Sequence, residues 1–260
     1  LHPGHEEVRH VHGVPLFRVV GVELRKMFDT RAGFWLMASI LIAALISTVA
    51  TIAFAPESDL TFYTFSAAIG APMTVILPII AILAITGEWS QRTGLTTFTL
   101  VPHRTRVILA KVIASLIVGV TSMLIALVFG VAGNLIGPAI TGTDRVWDVS
   151  ILHFLDIVLG SLISLLLGTA LGLLFRSTPV ALVAYFVISL LVPTLFGVLA
   201  TNQAGFRDTQ PWVDLNYAQS FLFDGTIDGV QWARIAVATT LWVILPALLG
   251  LRLAMRSEVK

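Results

Sequence analysis

The side chains able to do chemistry are sparse in this chain, and the densest set lies in one short basic loop. Between Gly87 and Lys111 come Glu88, Arg92, Arg104 and Arg106, interleaved with Leu95, Phe98 and Leu100 and punctuated by Gly94 and Pro102. That mixture suits the transmission of force between proteins. The apolar side chains can enter a groove on another subunit while the arginines make charged contacts around its rim. The plainer alternative is a solvated loop whose basic residues only fix membrane topology, although so much apolar surface beside charge is unexpected in a free loop. Elsewhere the options are thin. There is no cysteine, hence no disulfide and no thiolate nucleophile. His2, His5, His10 and His12 could ligate a metal, but a histidine-rich tract is a compositional signal and reads first as a solvated tail. Gly160-Ser161 offers a serine for intramembrane proteolysis without a histidine on a second span to activate it, because His153 shares its helix and His103 is in the basic loop. No Gly-x-x-x-x-Gly-Lys-[Ser/Thr] loop is present, so this chain lacks the usual means of holding ATP.

The elements that position these residues are apolar. Hydrophobic residues make up 57% of the chain and charged ones 12%. Six stretches, 34–54, 67–86, 112–136, 157–175, 180–200 and 235–251, reach roughly the 20 residues that cross a bilayer's hydrocarbon, with no ionisable residue in their interiors. Backbone groups that meet no water must bond within their own segment, so each is predicted to be a helix and the fold all-α. Ion-driven carriers place carboxylates or histidines inside the bilayer as relays. The span interiors here offer only groups such as Ser39, Ser47, Thr74, Asn134, Ser164 and Ser189, with His153 and Asp156 near one end of the fourth span.

Basic residues near span ends resist translocation, and they set orientation. Of 16 lysines and arginines, 13 fall on one side: Arg9, Arg18, Arg25, Lys26 and Arg31 before the first span, Arg92, Arg104, Arg106 and Lys111 after the second, Arg176 after the fourth, and Arg252, Arg256 and Lys260 after the sixth. Only Arg145, Arg207 and Arg234 fall on the other. The asymmetry predicts a multi-pass protein of the cell (inner) membrane with both termini and the basic loop in the cytoplasm. The net charge of +1 conceals it, and no basic patch with interleaved aromatics argues for nucleic acid. The predicted organisation is a cytoplasmic tail and amphipathic helix over 1–33, a six-span domain over 34–255 and a short tail over 256–260. No non-spanning piece is long enough for an independent core.

Within the first segment, Leu16, Phe17, Val20, Leu24, Met27 and Phe28 share one helical face, with Arg18 and Arg25 opposite. A basic amphipathic helix in that place is expected to lie in the membrane interface, arginines toward anionic headgroups, and it could also touch a cytoplasmic subunit. Between the last two spans, Trp212, Tyr217, Phe221, Phe223 and Trp232 read as interfacial belt residues. Asp208, Asp214, Asp224 and Asp228 are expected to keep that segment's edges wet. Pro72 and Pro78 in the second span, Pro193 in the fifth and Pro246 in the sixth each remove a backbone hydrogen bond and permit a bend.

The loop also carries a resemblance. Gly87-Glu88, Arg92-Thr93-Gly94, Val101-Pro102, the basic pair Arg104 and Arg106, and Ala110-Lys111 follow the order of the signature that links the second and third spans of type-2 ABC exporter permeases, with Arg-Thr-Gly where Gly-Thr is commoner. The resemblance extends over the whole chain, as elbow helix, six spans and an outer segment between the last two. It implies a dimer of permeases, more often two identical copies, above two separate ABC ATPase subunits. ATP and Mg would be bound by those partners and no cofactor or metal by this chain, which would not itself be an enzyme. It implies that Glu88, Arg92, Gly94, Leu95, Phe98, Pro102, Arg104 and Arg106 couple to the ATPase, with Arg18 and Arg25 at the elbow interface. It further implies short re-entrant outer helices, and a path along the second and fifth spans where Met73, Ile76, Phe186 and Phe196 would touch cargo. Walls without buried charge favour drugs, lipids or hydrophobic peptides over ions. The segment 224–234 is similar to the Asp-Gly-x-x-Ala-Arg core of lipid-headgroup transferases, but one extra residue separates Gly229 from Ala233 and no downstream aspartate pair completes a metal site. It reads as an outer turn.

Overall fold

The computed structural model describes residues 15–90 and 104–256. In chain order the helices are α1 (Leu16–Asp29), α2 (Arg31–Phe54), α3 (Phe62–Ser90), α4 (Arg104–Thr141), α5 (Ile151–Phe175), α6 (Thr178–Asn202), α7 (Ala204–Val213), α8 (Leu215–Asp224) and α9 (Gly229–Arg256). No strand occurs among the described residues, where β pairing is a single bridge between Thr61 and Val146. Six helices, α2, α3, α4, α5, α6 and α9, are long and apolar enough to cross a membrane, so the chain is an all-helical, multi-pass membrane protein.

The bundle is organised around α5. Two-thirds of its apolar window (67%) is enclosed by other helices, against 6% for α6, which lies on the outside. Small residues explain why α5 can sit at the centre. Gly160, Ser164, Gly168 and Gly172 recur every fourth position and line one face, letting neighbouring backbones approach where lipid supplies no hydrophobic drive between helices. A methyl group on Gly168 would lie 2.6 Å from the Pro78 carbonyl oxygen of α3, and one on Gly172 would lie 3.1 Å from Ile85. On α9, Gly250 is pressed equally close to the α5 backbone at Leu173 and Leu174, at 2.6 Å. Beside this contact, Ile69, Met73, Leu77 and Ala81 of α3 pack with Ile40 and Ala44 of α2 and with Val118 and Met123 of α4.

Prolines shape three of the spans. Pro78 has no N–H, so the Thr74 carbonyl four residues earlier loses its helical donor, and the Tyr185 hydroxyl of α6 donates to that oxygen at 2.6 Å. Tyr185→Phe is expected to lower stability by about 1–3 kcal/mol by leaving this carbonyl without a partner. Thermal unfolding in detergent measures it. In a Pro78→Ala background, where residue 78 regains its N–H, the loss should largely vanish; an unchanged loss there would show that the hydroxyl does not serve this carbonyl. In α6 and α9 the chain widens into π-turns, Val187–Leu191 and Thr240–Ile244, immediately ahead of Pro193 and Pro246. A π-turn makes room for the ring at the level where the preceding helix would otherwise collide with it.

At the end of the bundle where α2 and α4 finish, the connections that follow them are stitched together. Phe62 N–H donates to the Val146 carbonyl (3.1 Å), Asn134 donates to the same oxygen (3.0 Å), and Tyr63 N–H reaches the Asp148 carboxylate (2.7 Å). His153 pairs with the Phe223 carbonyl at 2.7 Å and stacks on Tyr63, and Gly225, at φ +72°, admits the imidazole where a side chain would collide with it. The turn at 224–228 is thus built on Gly225, and Asp228 caps α9 in a reciprocal arrangement with Gln231. At the opposite end, Ile85 and Trp89 of α3, Ile108 and Val112 of α4, Leu173 of α5 and Leu251 and Ala254 of α9 close in one apolar cluster.

Candidate functional site

The site suggested by the sequence is this second end, where α1, the end of α3 and the start of α4 converge. The helix α1 docks along α4 through Val19, Val20, Ala110 and Ala114. Its orientation is set by an acid on the apolar face. Glu23, only 3% exposed, places a carboxylate oxygen 2.6 Å from the Lys111 ammonium, itself 5% exposed, and the other oxygen 2.8 Å from Lys26. The pair is enclosed, so its attraction is little screened by water and breaking it by removing one member is costly. This rotation differs from the predicted one. The buried stripe centres on Val20, Glu23 and Met27, leaving Phe17 and Phe28 roughly a third of a turn away, and they are 72% and 52% exposed. Arg18 and Arg25 are exposed on the far side, as expected. The missed residue is Glu23, and its signal was present: a lone carboxylate inside an apolar stripe requires a cation.

A second correction concerns Glu88. Gly87 was expected to end the second span and Glu88 to open a new helix, where its carboxylate would face free N–H groups. Instead α3 continues helical through Gly87 and Glu88 to Ser90, the last described residue before the loop, so Glu88 does not open a new helix after Gly87. Gly87 imposes no break because its backbone conformation is helical. Arg104 is the first described residue of α4, and Arg106 is half-buried two residues on, ahead of Lys111. Arg92, Gly94, Leu95, Phe98 and Pro102, like the histidines of the first 14 residues, lie outside the described residues. Close by, the hydroxyls of Thr86 and Thr178 meet at 2.6 Å, joining the end of α3 to the start of α6.

No protein-family model matches this chain, and no curated protein matches it. The residues and their geometry alone bear on its function.

The four candidate cargo contacts are scattered. Met73 is fully enclosed in the core between α2, α3 and α4, so it presents no surface to a path in this conformation. Ile76 is half-buried against the same cluster. Phe186 is 39% exposed beside Tyr185, and Phe196 meets Phe206 of α7 edge-on, with ring centres 5.3 Å apart. Further polar groups are brought to the middle of the bundle by α7 and α8. These two short helices form a hairpin whose turn, at Val213 and Asp214, reaches the midpoints of the spans. Trp242, halfway along α9, donates to the Val213 carbonyl at 2.7 Å; Asn216 approaches the Ile188 carbonyl near the middle of α6 at 3.5 Å; and Gln219 approaches Ser164 near the middle of α5 at 3.4 Å. Asp214, expected on a wet outer edge, is 2% exposed at this turn. It caps α8 by accepting from Tyr217 N–H (3.1 Å) and takes a second bond from the Gln210 amide (3.2 Å). Trp212, expected in an interfacial belt, is half-buried with the Arg234 guanidinium 5.8 Å above its ring. The acidic residues of this segment were expected to keep its edges wet; the enclosure of Asp214 comes from side-chain bonds that composition does not reveal.

Proposed function

We propose that this chain is the permease subunit of an ABC exporter, which with a second copy and two separate ATPase subunits forms a path for amphipathic or lipophilic cargo. The observation that carries the reading is the joint at one end of the bundle: α1, the end of α3 and the start of α4, carrying the Gly87-Glu88 and Ala110-Lys111 elements of the signature, tied by the enclosed Glu23–Lys111 pair. Force applied to the loop between α3 and α4 would pass directly into both helices and into α1. On this reading α1 is the elbow helix in the cytoplasmic interface, with Phe17 and Phe28 toward acyl chains and Arg18 and Arg25 toward headgroups. The α7–α8 hairpin is re-entrant from the outer side, both termini are cytoplasmic, and the protein resides in the cell (inner) membrane. ATP and Mg belong to the partners. Cargo identity is set by lipophilicity, since the walls of α3 and α6 carry no charge.

Asp214 favours one alternative, an ion-coupled carrier, because an enclosed intramembrane carboxylate is a common proton-relay element. The two readings separate in one measurement. Native-membrane purification of the chain should yield a complex of two permeases and two ABC ATPases, and its vesicle transport should need ATP and survive collapse of the proton gradient. A monodisperse assembly with a single permease would overturn the dimer. Transport by the chain alone, abolished by an ionophore, would replace the exporter with the carrier. Single cysteines in this cysteine-free chain test the orientation: Ser58, Thr143 and Thr209 positions should label from outside, and Ser177 should not.

A further inference from the structure

We infer that the α7–α8 hairpin is latched to hinges in α6 and α9, so that withdrawal of the hairpin and bending of those two spans are a single motion. This extends the export reading but does not draw on any partner or cargo. Both hinges are π-turns followed by proline. In α6 the Val192 N–H is used by the Val187 carbonyl and Pro193 has no N–H, so the Ile188 carbonyl has no donor within its own helix. Asn216, in the first turn of α8, is the side chain that approaches it. In α9 the Leu245 N–H is used by the Thr240 carbonyl and Pro246 follows, so this helix too is locally short of bonds. Trp242, inside that turn, sends its indole N–H out of the helix to Val213, a carbonyl at the end of α7 that has no helical donor of its own.

Each hinge therefore exchanges a hydrogen bond with the hairpin's turn, and the hairpin has one such bond on either side. Much of the contact is apolar: Leu215, Ala218 and Leu222 of α8 pack in one cluster with Ile188 of α6, Trp242 and Val243 of α9, and Ile163 and Leu167 of α5. Bending α9 at its π-turn carries Trp242 away from Val213, and bending α6 carries Ile188 away from Asn216. In surroundings without water an abandoned carbonyl is costly. The hairpin follows the hinge, or the hinge does not bend. Gly160 against the Phe223 ring, and His153 on the Phe223 carbonyl, hold the far end of α8 to the rigid α5, making that end the pivot.

The experiment is amide hydrogen exchange on the full chain in nanodiscs, with no ATPase present. Replacing Phe196 and Phe206 by cysteines and joining them with a short bifunctional maleimide fixes α7 to α6. In the parent this tether should slow exchange at the distant α9 turn, residues 240–246, by about fivefold, the population change equivalent to one hydrogen bond. In Trp242→Phe, which keeps an aromatic ring but removes the donor, the tether should no longer affect 240–246, and untethered exchange over 204–224 should rise by a similar factor. Unchanged exchange at 240–246 on tethering the parent overturns the latch, as does an equal effect of the tether in Trp242→Phe. Because neither ATP nor cargo enters, failure here leaves the exporter reading untouched, and failure of that reading leaves the latch standing.

Discussion

Glu23→Leu is expected to destabilise the folded chain by about 3–5 kcal/mol, the cost of breaking an enclosed ion pair by removing one member. The glutamate side chain is 4% exposed and that of Lys111 7%, with 2.6 Å between carboxylate oxygen and ammonium. Val19, Val20, Ala110 and Ala114 pack in one cluster where α1 meets α4. Removal of the carboxylate takes a 2.6 Å charged contact from the Lys111 ammonium. The double variant Glu23→Leu, Lys111→Met removes both charges, and should recover to within about 1 kcal/mol of the parent or exceed it, since an apolar replacement of similar volume avoids desolvation altogether. Lys26→Ala should cost less than about 1 kcal/mol, because that lysine's side chain is 45% exposed and its bond is screened by water. Apparent midpoints of thermal unfolding in detergent give the cycle. Additive single effects would show that the pair is not the joint it is taken to be. If the exporter reading holds, the double variant should fold yet couple ATP hydrolysis to transport poorly, since α1 would be attached by apolar contact alone.

Gly168→Ala carries the second large effect. A methyl at this position would meet the Pro78 oxygen at 2.6 Å, its Cα at 3.0 Å and its carbonyl carbon at 3.1 Å, all backbone atoms that cannot rotate aside. The helices α3 and α5 must separate, at about 1–3 kcal/mol for a core forced apart. Gly168→Leu should prevent the compact bundle from forming. The control is Gly197→Ala on α6, where no atom lies within 4 Å of the added methyl. There the same chemical change should be neutral or stabilising by up to about 1 kcal/mol, from the better helix propensity of alanine. Opposite signs at two glycines of the same membrane domain separate packing from propensity. Equal midpoints for Gly168→Ala and the parent would mean that the close approach of α3 and α5 does not contribute to stability.

The six long helices were legible because a bilayer requires an apolar run of a given length, and 34–54 or 180–200 satisfy it whatever their neighbours do. Their ends were less so. Hydropathy stops where polar residues begin, yet α4 runs from Arg104 to Thr141 and α3 through Gly87 and Glu88, because a helix already nucleated continues into water at little cost. The rotation of α1 escaped detection because apolar residues alone do not distinguish a face toward lipid from one toward protein; Glu23 and Lys111, 88 positions apart, decide it jointly. The central place of α5 had a signal in the four-residue recurrence of Gly160, Ser164, Gly168 and Gly172. For the hairpin, the family resemblance implied short re-entrant helices, but no residue pattern marked how its side chains are enclosed. Asp214, Asn216 and Gln219 look like surface residues until Tyr217, Gln210 and the carbonyl of Ile188 are found beside them, and that is a matter of tertiary contact.

The separation of Glu23 from Lys111 has a consequence during synthesis. A ribosome adding about 5–20 residues per second needs on the order of 4–18 seconds to extend the 88 positions between them. During that interval α1 has emerged, α2 and α3 are entering the bilayer, and the carboxylate has no helix α4 to meet. The nascent α1 must wait, and the surface that can hold it is the membrane itself, through Phe17 and Phe28, the two aromatic side chains it keeps outward afterward. Only after Lys111, ahead of the third span, has been added can the Glu23–Lys111 pair form and fix α1 against α4.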